Sequence, residues 1–164
     1  MSEVRVQFIH GLEGSPQGRK ARLLAEHFDA RTPAMETGDF EGCVRRQAEE
    51  AARFQPDVLA GSSFGGGVAV ALLQRGLWCG PTLLLAQAAR HQGLELTLPE
   101  DVRVWIAHGT GDTLVDAEES RVLARTGTPA LVRLIEVDDD HPLSRSTESG
   151  DLLRWVRELH AASR

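Results

Sequence analysis

The sequence predicts an α/β fold, a three-layer α/β/α sandwich with a mostly parallel sheet of about six strands. Short apolar segments alternate with longer segments of helical periodicity along the chain. Parallel strands need crossover connections, and helices usually supply them. With 164 residues, of which 41% are hydrophobic, the chain is long enough for one domain with a sizeable core. We therefore expect a single domain over residues 1–164.

The predicted strands are short, apolar and bounded by turn-forming residues. They cover residues 4–9, 31–35, 57–60, 82–86, 102–107 and 131–137.

The predicted helices begin and end at familiar capping signals. Ser15 is a candidate N-cap, with Pro16 at the first helical position. Asp116 is a candidate N-cap for a helix that ends near Gly127. The other predicted helices cover residues 40–54, 68–77 and 151–160.

Composition disfavours several classes of partner. The net charge is −6 and the basic residues are spread along the chain, so neither nucleic acid nor an anionic membrane surface is favoured. The N-terminal residues do not resemble a signal peptide, and no apolar run approaches the ~20 residues that span a bilayer. We expect a cytoplasmic protein with a small-molecule partner.

The two cysteines, Cys43 and Cys79, lie far apart in sequence and outside any CxxC pattern. This spacing disfavours both a disulfide framework and a zinc site. We expect both cysteines to be buried as small apolar side chains.

The stretch GSSFGGG, residues 61–67, follows a predicted strand and precedes an apolar helical segment. A phosphate-binding P-loop would require a lysine after the second glycine, but Gly67 and Val68 stand there. A dinucleotide-binding fingerprint would require a third glycine, where Val70 stands. The pattern GxSxG of a nucleophile elbow does fit in this strand-turn-helix setting.

In an elbow, a sharp turn holds the central serine above the sheet edge, and side chains at the flanking glycine positions would clash. Ser63 is therefore the candidate nucleophile, between Gly61 and Gly65. The amide N–H of Phe64, at the start of the next helix, is placed to stabilise an oxyanion. The alternative is a glycine-rich turn in which Ser62 or Ser63 only caps the helix.

A serine nucleophile needs a base and an orienting acid, in the chain order Ser, Asp or Glu, His. Asp112 lies in a loop at the carboxyl end of the fifth predicted strand, whereas Asp116 stands where a helix cap is expected. His141 follows the last strand in DDDHPL. The other five histidines lie in helices, in a polar connection or at strand ends before glycine. We therefore select Asp112 as acid and His141 as base.

These motifs resemble those of the α/β-hydrolase family over nearly the whole chain. HGLEGSP resembles the family's oxyanion loop, GSSFGG its elbow, HGTGDTLVD its acid loop and DDDHPL its histidine loop. The first two motifs are similar to those of small bacterial esterases. The chain reaches the oxyanion loop without the first antiparallel strands of larger relatives, so a minimal version of the fold is implied.

The resemblance implies a serine hydrolase that needs no metal or organic cofactor. By position, Ser63 is the nucleophile, His141 the base and Asp112 the acid, and the backbone N–H groups of Leu12 and Phe64 form the oxyanion hole. A carboxylesterase acting on small acyl esters is the expected activity. Thioester or other acyl hydrolysis, and a non-catalytic binding module on the same fold, are the alternatives.

Two further features of the sequence bear on this activity. Three aspartates, residues 138–140, precede His141 and would favour its protonated form if they point at it.

The connection over residues 87–101 is too short for a separate cap, so an open crevice is expected. Its alternate leucines, Leu94, Leu96 and Leu98, either face the core or line an acyl pocket; packing inward is the commoner arrangement.

Overall fold

The computed structural model describes residues 3–164 and places six parallel strands in one sheet. The strands run in the order β2-β1-β3-β4-β5-β6. Their bounds are β1 Arg5–Ile9, β2 Asp29–Arg31, β3 Val58–Ser62, β4 Thr82–Leu85, β5 Val104–Gly109 and β6 Val132–Val137. The fold class predicted from the sequence is confirmed.

Six α-helices in the same part of the chain cover the two faces of the sheet. They are α1 Arg19–His27, α2 Phe40–Phe54, α3 Phe64–Gln74, α4 Ala117–Ala124, α5 Ser144–Ser149 and α6 Asp151–Ala162. None of the helices within residues 3–164 is long and apolar enough to cross a lipid bilayer.

The strand order reverses direction at β1. The chain moves from β1 outward to β2, then returns to the other side of β1 and adds β3 to β6 in sequence. β1 and β3 are therefore neighbours, with Ile9 opposite Gly61. A crevice forms at the carboxyl ends of parallel strands where the order reverses, so the loops after β1 and β3 meet there.

Alternate residues of the strands face opposite sides, which gives the sheet two cores. In β4, Leu84 faces α2, α3 and α4, whereas Leu83 and Leu85 face α1 and α6. Helix α3 is buried from Phe64 to Leu73. It lies between the sheet and α2, which explains why its sequence is apolar on most faces.

The predicted element positions differ from the structure most clearly in three places. The second strand is β2, not residues 31–35, and Pro33 lacks the N–H that would extend it. Helix α3 begins at Phe64 rather than Val68, because its glycines pack closely instead of interrupting it. Ser15 accepts a hydrogen bond from the Gln17 amide in a turn, and α1 begins only at Arg19.

The environments of the cysteines and leucines are also settled. Cys43 is buried as predicted, but Cys79 is exposed in the turn before β4, so the prediction for Cys79 was wrong.

Leu96 and Leu98 are each 7% exposed and pack with the core on the α3 face, and the half-buried Leu94 joins them. These leucines therefore face the core and do not line an acyl pocket.

Candidate active site

The turn between β3 and α3 holds Ser63 in an unusual backbone conformation. Its φ is 55° and its ψ is −114°, a region that residues with a side chain rarely adopt. The Ser63 amide donates to the Leu85 carbonyl at 2.9 Å, and the Ser63 carbonyl accepts from the amides of Gly67 and Ala88, each at 3.0 Å. These backbone bonds hold the strained turn in place.

The glycines of this turn are required by close backbone contacts. A Cβ on Gly61 would collide with the Gly65 carbonyl oxygen, and one on Gly65 would collide with the carbonyl oxygens of Ile9 and His10. The start of α3 is thereby allowed to lie directly against the end of β1.

The side chains of Ser63, His141 and Asp112 form one hydrogen-bonded chain. Ser63 Oγ lies 2.8 Å from His141 Nε2, and His141 Nδ1 lies 2.7 Å from Asp112 Oδ2. The structure thus brings together the three residues selected from the sequence. Asp116 is not part of this chain, because its carboxylate accepts from the Glu118 amide at 2.9 Å and caps α4.

The Asp112 side chain is 1% exposed and is surrounded by donors. Its Oδ1 accepts from the amides of Leu114 and Val115 at 2.8 and 2.9 Å. Burial by itself would raise the pKa of Asp112, but the hydrogen bonds from Val115, His141 and Leu114 outweigh it and hold that pKa below its usual range. The Asp112 carboxylate is therefore ionised at neutral pH.

The three aspartates before His141 have other partners than its ring. Asp138 pairs with Arg145 at the surface, at 3.0 Å. Asp139 accepts from the amide and the hydroxyl of Ser146, each at 2.8 Å, and Asp140 accepts from Ser144. The carboxylates of Asp139 and Asp140 therefore bind the start of α5 and shape the loop that carries His141.

The loop after β1 lies against the elbow. A Cβ on Gly11 would stand only 3.4 Å from the Cβ of Ser63, and Leu12 lines the crevice. Phe64 is the first residue of α3, so its amide lies at the positive end of the helix dipole. Leu12 and Phe64 thus belong to two segments that meet at Ser63.

A crevice of about 610 Å³ opens at Ser63 and His141. Much of its wall is apolar, and two cationic side chains also line it. The apolar lining includes Phe8, Leu12, Leu114, Val115 and Pro142, and the cationic lining includes Arg19 and Lys20.

Two features of the site were not found from the sequence. Lys20 donates through Nζ to the carbonyl oxygen of Pro142, beside His141, and burial lowers the pKa of Lys20. His108 is fully buried with its Nε2 3.1 Å from Asp112 Oδ2. The only sequence signal for His108 is its place at a strand end, four residues before Asp112.

Within residues 3–164, no group of three or more His, Cys, Asp or Glu side chains is arranged to hold a metal ion.

Solved structures with the α/β-hydrolase fold are similar to this chain. A putative hydrolase of the alpha/beta superfamily from Xanthomonas campestris pv. campestris is 25% identical, with a TM-score of 0.80 and 99% of each chain covered. A serine hydrolase without lid from Xanthomonas campestris is 18% identical, with a TM-score of 0.67, 96% of this chain and 83% of that chain covered.

A third similar structure is a monoacylglycerol lipase from Paleococcus ferrophilus, 13% identical, with a TM-score of 0.77 and coverage of 100% and 97% of the two chains. The sequence matches no protein-family model and no curated protein. The fold is that of the lidless α/β hydrolases, and esterases and lipases are among the proteins that share it.

Proposed function

We propose that the protein is a serine hydrolase, a carboxylesterase that acts on small acyl esters through an acyl-enzyme. Ser63 is the nucleophile, His141 the base and Asp112 the acid. The observation that carries the proposal is the unbroken hydrogen-bonded chain from Ser63 Oγ through the His141 ring to Asp112, at a strained turn facing the crevice.

The tautomer of His141 follows from its partners. Asp112 is ionised and offers only lone pairs, so His141 Nδ1 carries a proton and donates to Oδ2 at 2.7 Å. In the neutral ring, Nε2 then has a lone pair directed at the Ser63 hydroxyl. The ring is thereby set to accept the serine proton.

The reaction has two acyl-transfer steps. As Ser63 Oγ attacks the ester carbonyl carbon, its proton passes to His141 Nε2, and the carbonyl oxygen becomes an oxyanion. His141 then gives that proton to the departing alcohol, which leaves an acyl-enzyme. A water molecule, deprotonated by His141, attacks the acyl carbon and releases the acid, with the proton returned to Ser63.

The amides of Leu12 and Phe64 are proposed as the donors to the oxyanion. Phe64 follows the nucleophile and begins α3, and Leu12 lies in the loop packed on Ser63. Fixed backbone N–H groups need no reorganisation as charge develops, so such donors lower the barrier of each step.

An open crevice favours small substrates. Between β4 and β5 the chain forms one short helical turn, Arg90–Gln92, and otherwise loop, so this connection holds no cap. Each CH₂ of an acyl chain that is buried in the pocket contributes ~0.8 kcal/mol to binding, and a CH₂ that extends beyond the pocket contributes nothing. Selectivity for acyl length should therefore saturate early.

A panel of p-nitrophenyl esters from acetate to palmitate tests this function. We expect kcat/KM on acetate or butyrate well above that on palmitate, with no jump at the micellar concentration of the substrate. The matching thioesters, run beside them, decide between ester and thioester hydrolysis, which share this catalytic apparatus. A kcat/KM that climbs steadily with chain length would contradict the open-crevice model, and absence of hydrolysis of every ester would contradict the function.

A further inference from the structure

His108 is a buried imidazole that takes no part in the bond-making and proton-transfer steps of the proposed reaction. It lies in β5, and its side chain is 0% exposed. Its Nδ1 lies 2.7 Å from the Ser120 hydroxyl of α4. Its Nε2 lies 2.9 Å from the carbonyl oxygen of Val115 and 3.1 Å from Oδ2 of Asp112. Both ring nitrogens therefore have polar partners, one of which is the acid of the proposed triad.

The position of the His108 proton follows from these partners. The Val115 carbonyl and the ionised Asp112 carboxylate offer only lone pairs, so Nε2 must carry a proton. That N–H donates to Val115 and turns its positive end toward the carboxylate. In the neutral ring Nδ1 is then an acceptor, and the Ser120 hydroxyl donates to it.

Gln87 fixes the direction of the Ser120 hydroxyl. The buried Gln87 Oε1 accepts from the Ala89 amide at 2.9 Å, so its Nε2 is the group that faces Ser120 Oγ, at 3.2 Å. An amide N–H can only donate, so Ser120 accepts from Gln87 and its own proton is left for His108. Gln87, Ser120 and His108 form a buried series in which each member donates to the next.

His108, the last member of this series, contacts two residues of the Asp112 loop, Val115 and Asp112 itself. Val115 is held through its carbonyl by His108 and through its amide by Asp112 Oδ1, at 2.9 Å. Asp112 Oδ2, which accepts from His141, also lies beside His108 Nε2. A change at His108 would therefore remove one hydrogen bond that holds the loop and alter the contacts of the oxygen that orients the base.

We propose that His108 is a positioning residue for the hydrolase reaction, held by Ser120 and Gln87, that locks the Asp112 carboxylate in the orientation in which Oδ2 meets His141. The proposal rests on the proposed function of Ser63, His141 and Asp112. His108 touches no reacting atom and acts through Asp112 and Val115.

Two variants of similar shape separate this role from mere packing. His108→Met fills the site without a donor, whereas His108→Gln places an amide N–H near the position of Nε2. With p-nitrophenyl acetate, we expect His108→Met to lower kcat roughly 10-fold to 100-fold while KM stays within about twofold, because a charge-assisted contact to the acid is lost. His108→Gln should recover kcat to within roughly threefold of the wild type. Melting temperatures, measured for both, establish that each variant is folded at the assay temperature.

The opposite pattern would overturn the proposal. A wild-type kcat in His108→Met, or an equal loss of kcat in the Met and Gln variants, would show that His108 contributes only to packing. Should His108→Met fail to fold, Ser120→Ala serves instead, since it removes the donor to Nδ1 without touching Asp112. It should lower kcat about threefold to tenfold at unchanged KM, and an unchanged kcat would overturn the proposal. A wild-type protein that neither hydrolyses esters nor is labelled at Ser63 would overturn the proposed function as well.

Discussion

Ser63 adopts a positive φ of 55°, which costs of order 1–3 kcal/mol for a residue with a side chain. The surrounding backbone compensates through three hydrogen bonds to Ser63, and the neighbouring glycines let β1 and α3 approach closely enough to form them.

The spacing of Gly61 and Gly65 around a serine was readable in the sequence because only glycine fits such contacts. His108 was not, because its partners lie in α4 and in the acid loop, and only the folded chain brings them together.

The two aspartates of the acid loop should respond differently to substitution. Asp112→Asn removes the charge that orients His141, so kcat should fall by roughly 10⁴-fold, as for the acid of other triads. Asp116→Ala removes a helix cap and should cost about 1 kcal/mol of unfolding free energy, with kcat nearly unchanged. Steady-state kinetics and urea unfolding of both variants provide the measurement. A loss of kcat confined to Asp116→Ala would mean that the acid is assigned to the wrong residue.

Helix α5 is an element that the sequence did not indicate. Its six residues, SRSTES, have no apolar periodicity, and it is set in place by carboxylates that precede it. Asp139 accepts from the amides of Arg145 and Ser146 and from the Ser146 hydroxyl. Asp139 and Asp140, which directly precede His141, thus anchor the loop that carries it. Helix α2, by contrast, was predicted with its observed bounds because its apolar spacing and its terminal Pro56 are local signals.

The role of Asp139 predicts a pH-dependent effect on stability. Burial would raise the pKa of Asp139, but hydrogen bonds from Ser146, Asp140 and Arg145 outweigh it and lower that pKa. A carboxyl whose pKa is lower in the folded state stabilises the fold above its unfolded value of about 3.9, and this contribution disappears as the pH falls through the folded value. Asp139→Asn should therefore lower the unfolding free energy by about 2 kcal/mol at pH 7.

Urea unfolding between pH 7 and pH 3 measures this effect. The difference between wild type and Asp139→Asn should be constant from pH 7 to about pH 5 and shrink below about pH 4. Asp138→Asn is the matched control, because the Asp138 side chain is 91% exposed and pairs only with Arg145 at the surface. It should leave stability unchanged at every pH. A difference for Asp139→Asn that grows toward pH 3 would contradict the assignment of the carboxylate as the acceptor.

At the scale of the whole molecule, the sheet was predictable and the contacts between its loops were not. Alternation of apolar strands and amphipathic helices determines a parallel sheet, since each strand must be buried on both faces. The edge strand was misplaced because β2 has three residues and is partly exposed, so its sequence has little apolar signal. Because all six strands are parallel, the serine, acid and histidine loops lie at the same edge of the sheet. The strand order, with β1 beside β3, places the loop after β1 next to the serine loop.

Labelling of Ser63 by a fluorophosphonate probe tests the central claim most directly, because the probe reacts only with an activated serine. The wild type should be labelled on the peptide that contains Ser63, and Ser63→Ala should lose labelling and about 10⁴ to 10⁶ of kcat while its circular dichroism and melting temperature stay unchanged. Ser62→Ala, the neighbouring serine, is the control and should still be labelled. Labelling of Ser63→Ala at the wild-type rate would contradict the account.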